Sequence, residues 1–309
     1  MKKAVRVFAP ATVANVGSGF DILGFALEGP GDVIVVSATG TPGITIVNAT
    51  PYSAIPLDPK QNTAGIAVEA YLEKIGSEQG IEIRIEKKIR PGSGIGSSSA
   101  SAAGAVFGVN ELLGRPLEAE ALVELAMQGE KAASGAAHAD NVAPCLLGGF
   151  VLVRRYDPLD IIRLPCPKNL YCTILHPQIE LRTEDARRIL KREITLKDAT
   201  RQWGNIAGLV AGLFMEDYGL IGRSLEDVII EPVRSLLIPG YHEAKRNAMD
   251  AGALGCSISG SGPSLFALSQ DEATARQVGE NMAKVFKKLE IDHEIYVSKI
   301  NEAGPSILN

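Results

Sequence analysis

Polar and apolar positions alternate or cluster over short stretches along the whole chain. Isoleucines at 81, 83 and 85 alternate with polar residues, and this period of two predicts a strand over 81 to 89. Val5 to Ala9 and Val33 to Ser37 read as further strands, and Phe150 to Val153 as a short buried one. Over Asn62 to Ile75 the period changes: Ala64, Ala67, Val68, Tyr71 and Leu72 share one face, which predicts a helix. A helix of small residues follows the 81–89 strand and runs to about Leu113, where Gly114 and then Pro116 supply stop signals. Another covers about Leu117 to Gln128.

Prolines at 158, 165 and 167 punctuate Tyr156 to Asn169, and this stretch reads as a boundary between domains at 1–163 and 164–309. Beyond it the pattern predicts strands at Tyr171 to Leu175, near Ser264 to Leu268 and at 294–299. Helices are expected near 183–191, 200–217, 241–251 and 271–288. That order suggests a small α+β sandwich with a mostly antiparallel sheet. A length of 309 residues, too long for one comfortable core, fits two domains.

Composition narrows the function. The net charge of −5 argues against nucleic acid as a partner, since a phosphate backbone wants a basic surface. No apolar run approaches the roughly 20 residues that span a bilayer, so no membrane role is expected. Arg6 interrupts any signal-peptide core after Met1, and Cys145, Cys166, Cys172 and Cys256 form no Cys-x-x-Cys pair. A cytoplasmic protein with reduced thiols is the expectation. Four scattered histidines give no zinc spacing.

The candidate chemistry lies in Pro91-Gly92-Ser93-Gly94-Ile95-Gly96-Ser97-Ser98-Ser99, between the 81–89 strand and the next helix. Its glycines let the backbone take positive φ and approach a ligand closely. The opening N–H groups of the helix, at the positive end of its dipole, form an anion site. Consecutive hydroxyls at 97 to 99 add donors and a possible magnesium ligand. A Walker A loop is excluded because no Gly-Lys dipeptide occurs, and the dinucleotide fingerprint fails because position 97 is serine. A Gly/Ser linker is the plain alternative, weakened by the strand and helix on either side.

Two other motifs accompany the loop: Pro10 through Asp21, containing Asn15-Val16-Gly17-Ser18-Gly19-Phe20-Asp21, and Gly255 through Ser264. In this order the three resemble the GHMP small-molecule kinases, whose most specific mark is carried here by Pro91 and Gly94-Ile95-Gly96-Ser97-Ser98-Ser99. Within that superfamily the homoserine kinase family is indicated by four stretches. These are Asn15 to Asp21, Glu130 to Pro144, Thr183 to Arg187, and Glu231 to Arg234 followed by Leu237-Ile238-Pro239-Gly240. The resemblance implies an N-terminal domain like ribosomal protein S5 and a ferredoxin-like C-terminal α+β sandwich. It also implies ATP with Mg2+ acting on L-homoserine on the route to threonine, and a homodimer.

By the same resemblance Pro91, Gly92, Ser93, Gly94, Ile95, Gly96, Ser97, Ser98 and Ser99 would hold the ATP phosphates, with Ser98 and Glu130 reaching magnesium. Asn62 either touches the adenine or caps its own helix. Arg187 and Arg234 suit the carboxylate of an amino acid, because guanidinium makes forked contacts. Asp21 would meet the ammonium, while Asn15, His138 and Asn141 hydrogen-bond the substrate. Asp140 could act as the base; the preferred expectation is that Asn141 orients the hydroxyl and the γ-phosphate takes the proton. Two rivals stand beside this reading, another kinase of the same superfamily acting on mevalonate or a sugar, and a nucleotide sensor without catalysis.

Overall fold

Ile81, Ile83 and Ile85 are all buried along one strand, as their alternation requires. The computed structural model describes residues 3–50, 55–135 and 137–309. The first half runs β1 (Ala4–Ala14), β2 (Leu23–Thr39), β3 (Ile44–Asn48), α1 (Thr63–Ile75), β4 (Gly80–Glu86), α2 (Ser97–Leu112), α3 (Ala119–Ser134), α4 (Val142–Leu147), β5 (Phe150–Tyr156) and β6 (Leu159–Leu164). There follow β7 (Tyr171–Pro177), α5 (Thr183–Arg188), α6 (Leu196–Met215), α7 (Tyr218–Ser224), α8 (Glu231–Arg234), α9 (Tyr241–Asp250), β8 (Gly255–Ile258), β9 (Leu265–Ser269), α10 (Glu272–Lys288), β10 (His293–Lys299) and β11 (Ser306–Leu308).

Seven strands make the first sheet, in the order β11, β1, β2, β4, β3, with β5 on the first residues of β2 and β6 on β5. Only β3 and β4 run parallel among them. The second sheet is antiparallel throughout, in the order β10, β7, β9, β8. The α+β sandwich expected of the second half is present: Tyr241, Ala244 and Ala248 of α9, with Val278, Met282 and Phe286 of α10, share a core with Leu265 and Ala267 of its sheet. The larger core joins the first sheet and α1 to α4 to Leu209 and Leu213 of α6 and to Phe266 and Leu268 of β9.

The stretch expected to be only a boundary contains β6, which forms a hairpin with β5. Its prolines flank the strand: Pro158 stands before Leu159 and Pro165 follows Leu164, so neither removes a ladder donor from its interior. We propose that the domain division expected at 163–164 falls just beyond it, between the end of β6 at Leu164 in the first sheet and the start of β7 at Tyr171 in the second. β11 then returns to the first sheet against β1. No helix among the described residues is long and apolar enough to cross a membrane.

Two features set the position of α2, the helix behind the glycine loop. Side chains at Gly104 and Gly108 would strike Ile34 and Val36 of β2, so their absence lets the helix lie close on the sheet. Beneath its first turn is a buried ion pair between Lys87 and Asp32. The Lys87 ammonium also donates to Ser97 O at 2.7 Å and Ser101 Oγ at 3.1 Å. Asp32 Oδ1 accepts from the Lys88 and Ile89 amides at 2.7 and 2.9 Å. The pair therefore ties the exit of β4 to the start of α2. Asp32→Ala leaves a buried ammonium without its carboxylate and is expected to cost about 3–5 kcal/mol in urea unfolding; a loss under about 1 kcal/mol would contradict the role given to the pair.

Candidate active site

Gly92, Gly94 and Gly96 all have positive φ, at 74°, 80° and 73°, as the sequence requires of a loop that doubles back on itself. Two of them are also closed in by distant backbone and side chains. A Cβ on Gly94 would lie 2.6 Å from Gly262 O and 2.8 Å from Ser259 O. One on Gly96 would lie 2.1 Å from Thr12 Oγ1 and 3.2 Å from Asn141 Oδ1. Hydroxyls from the Gly255–Ser264 motif complete the clamp: Ser264 Oγ donates to Ser93 O at 2.6 Å and Ser259 Oγ to Gly94 O at 2.8 Å. The first turn of a helix leaves its N–H groups without intrahelical partners. In α2 the ladder begins with Ala100 N donating to Gly96 O.

The loop forms one wall of a cavity of about 400 Å³. Pro91, Gly92, Gly94, Gly96, Ser97 and Ser98 line it. Ser93, Ile95 and Ser99 are buried and their side chains lie off that surface. Ile95 packs into the core and Ser97 Oγ donates to Ile89 O, so these side chains hold the loop. Asn62 reaches the cavity wall, and its amide is engaged locally: Oδ1 accepts from Ala64 N and Nδ2 donates to Pro56 O. Glu130, at the end of α3, is buried beside the hydroxyls of Ser98 and Ser99; burial raises its pKa, and those hydroxyls and Lys87 oppose the rise.

Asp21, Arg187, Arg234, His138, Asp140 and Asn141 line the same cavity. The Arg187 guanidinium grips the Asp21 carboxylate in a fork, Nη2 to Oδ1 at 2.6 Å and Nη1 to Oδ2 at 3.1 Å. Arg234 is buried and donates to Gly260 O and Ala186 O. Burial and the neighbouring Arg187 lower its pKa to about 10. Its place follows from Asp227, whose carboxylate accepts from the Ile229, Ile230 and Glu231 amides and so starts α8. Glu231 itself is structural, bonded to Lys245 and Ser257.

Asn15 is drawn into holding the loop, its Oδ1 accepting from Asp21 N and its Nδ2 donating to Gly260 O, both at 2.7 Å. Asn141 Oδ1 accepts from Thr12 Oγ1 at 2.7 Å, which leaves its Nδ2 as the donor for a ligand. His138 Nδ1 stands 3.7 Å from Asp21 Oδ1; burial pulls the imidazole pKa down, against Asp21. Asp140 is buried beside β2, where Gly24 leaves room for its carbonyl. Burial first, then Asp21 and Glu130, push its carboxyl up to about 7.

Four contributors were not singled out by the sequence. Phe20 lies under both guanidiniums, its ring centroid 5.4 Å from Arg187 Cζ and 5.0 Å from Arg234 Cζ. Thr12 orients Asn141, and Thr183 meets Ser261 at 3.2 Å across the cavity wall. Tyr156 donates to Asp21 O at 2.6 Å and accepts from Ala139 N. The first three fall inside motifs that were recognised; Tyr156 lies in the supposed boundary and carried no signal.

A glycine loop at a helix N-terminus, closed by motifs from both ends of the chain, is accompanied by a family match: the chain belongs to the GHMP kinases. The family's "GHMP kinases N terminal domain" matches residues 62–149 and its "GHMP kinases C terminal" matches residues 206–288. A homoserine kinase of Chlorobium phaeovibrioides is 50% identical over 99% of this chain and 100% of its own. The crystal structure of homoserine kinase from Cytophaga hutchinsonii superposes with a TM-score of 0.97 at 53% identity, covering 100% of this chain and 98% of that one. Within the GHMP kinases the chain belongs to the homoserine kinase family. A mevalonate kinase from L. major, 18% identical and covering 97% of this chain and 98% of its own, shares the fold at a TM-score of 0.72.

The raised pKa of Asp140 makes a stability prediction. Its contribution is fully present below the unfolded carboxyl value near 4 and is lost as pH rises through about 7, because the folded site resists the charge. Relative to Asp140→Asn, the wild type should therefore lose on the order of a few kcal/mol between acid and mildly alkaline pH. Urea unfolding of both proteins across that range checks it, and a pH-independent gap would contradict the burial of this charge.

Proposed function

We propose that this protein transfers the γ-phosphoryl group of ATP to the side-chain hydroxyl of L-homoserine, giving O-phospho-L-homoserine and ADP in the cytoplasm. The observation that carries the reading is the joint lining of one cavity by a phosphate loop and by two guanidiniums with a carboxylate between their reach. That second set complements an amino acid: Arg187 and Arg234 receive the α-carboxylate and Asp21 the ammonium. His138 and Asn15 shape the pocket around them. Such an acceptor pocket has no use in a nucleotide sensor.

The loop amides and the hydroxyl of Ser98 receive the ATP phosphates, while Ser97 Oγ stays on Ile89 O. Ser98 and Glu130 would offer hard oxygen donors to a magnesium ion bound with the nucleotide. Among the described residues no group of three or more His, Cys, Asp or Glu side chains could hold a metal ion. The ion neutralises phosphate charge when bound. Asn141 Nδ2 then holds the acceptor hydroxyl. As the hydroxyl oxygen bonds to the γ-phosphorus, the bond to the ADP oxygen breaks and the hydroxyl proton passes to the transferred phosphoryl group. A second reading rests on Asp140, whose pKa near 7 suits a general base.

ADP release coupled to an indicator reaction tests this with L-homoserine, mevalonate and galactose in turn. Turnover with homoserine alone is expected; turnover with either of the others and none with homoserine would overturn the reading. In the same assay Asn141→Ala should lower kcat about 100-fold, while Asp140→Asn keeps turnover within about tenfold. Near-complete loss in Asp140→Asn would establish the second reading instead.

A further inference from the structure

We propose that His176 is a positioning residue for the nucleotide: through Ser264 it fixes the peptide planes of the glycine loop so that their N–H groups face the phosphates. This rests on the reading that the loop receives the phosphates of ATP. His176 lies near the end of β7, in the second sheet, and stands outside the cavity lining. Leu175 pairs with Leu265 across the ladder, so His176 comes opposite Ser264 at the next position. The imidazole is 3% exposed, and its Nδ1 lies 3.1 Å from Ser264 Oγ.

One hydrogen decides the direction of this contact. Ser264 Oγ carries a single proton and gives it to Ser93 O at 2.6 Å, so towards the imidazole it can only accept. His176 must then carry its own proton on Nδ1. Burial lowers its pKa to about 4, with Glu294 opposing the fall and Arg90 adding to it, so the ring is neutral and Nε2 is bare. Nε2 is buried and has no hydrogen-bond partner among the described residues. An apolar side chain would fill this place without leaving such an atom, and unpaired buried atoms gather where a fold serves a function. What the imidazole adds here is the Nδ1 donor.

The consequence falls on the loop. In a trans peptide the C=O and the following N–H point in opposite directions. Three successive loop carbonyls are held from outside: Ser93 O by Ser264 Oγ, Gly94 O by Ser259 Oγ at 2.8 Å, and Ile95 O by Thr12 N at 3.2 Å. The next amides, those of Gly94, Ile95 and Gly96, are thereby turned the other way, and among the described residues they donate to no protein atom. With positive φ at Gly92, Gly94 and Gly96 they form a nest for an anion. Hydrogen bonds in a chain strengthen one another. The imidazole N–H therefore tightens the hold of Ser264 on Ser93 O, and with it the aim of the Gly94 amide.

Binding of ADP and of adenosine, measured by titration calorimetry on the full chain, separates this role from a merely structural one. In His176→Phe the affinity for ADP should fall about tenfold, the worth of one hydrogen bond, while adenosine, which has no phosphate, binds as before. His176→Asn, whose amide can donate in place of Nδ1, should restore most of the loss. Ser264→Ala should weaken ADP at least as much, and adding His176→Phe to it should cost nothing more. Nitrogen NMR of the wild-type imidazoles should show His176, identified by the signal lost in His176→Asn, protonated on Nδ1. A proton on Nε2, an equal loss for ADP and adenosine, or ADP affinity unchanged in His176→Phe would overturn the proposal. A wild type that binds no ADP would overturn the nucleotide reading itself, and this proposal with it.

Discussion

The site depends on one constraint: the glycine loop keeps its shape only because distant segments fill the space beside it. Gly94 is pressed by Ser259 and Gly262, some 165 residues further on, and Gly96 by Thr12 and Asn141. Each contact leaves no volume for a side chain, and each positive φ favours glycine independently. The loop, the N-terminal motif and the Gly255–Ser264 motif are therefore one structural unit, and the loop cannot take this shape before both sheets have come together. Asp32 and Lys87 anchor the same loop from below.

The acceptor pocket is held by charges that answer to one another. Arg187 rests on Asp21, whereas among the described residues Arg234 forms no ion pair and bonds only to carbonyl oxygens. Burying the Arg234 guanidinium, and then keeping it close to that of Arg187, is costly, and its lowered pKa records both. Phe20 offers its ring faces to both cations and screens part of that repulsion. A bound carboxylate would remove the rest, which supports the proposed amino-acid acceptor.

Much of this was legible in the sequence because the chemistry is local. The alternation at 81–85, the face of α1 and the glycine loop each need only neighbouring residues to be recognised. Long-range partners were not legible. Asn15 offers its amide to Gly260 and Asp21, a role that depends on where other backbone lies, whereas the cap that Asn62 makes on Ala64 N, two residues on, was one of the two readings its sequence offered. β6 was hidden because prolines flank it, and α4 because Pro144 sits in its first turn, where the missing N–H costs nothing. Tyr156, a strand residue beside a supposed linker, became part of the site only through the fold.

The central claim, that the pocket recognises an amino acid through its carboxylate, is tested most directly by comparing kcat/KM for L-homoserine with that for 3-aminopropan-1-ol. The second compound keeps the ammonium and the hydroxyl and lacks only the carboxylate. With Arg234 left to carbonyl partners and Arg187 to Asp21, the site should reject it by about 10⁴-fold. Comparable kcat/KM values for the two alcohols would contradict the account.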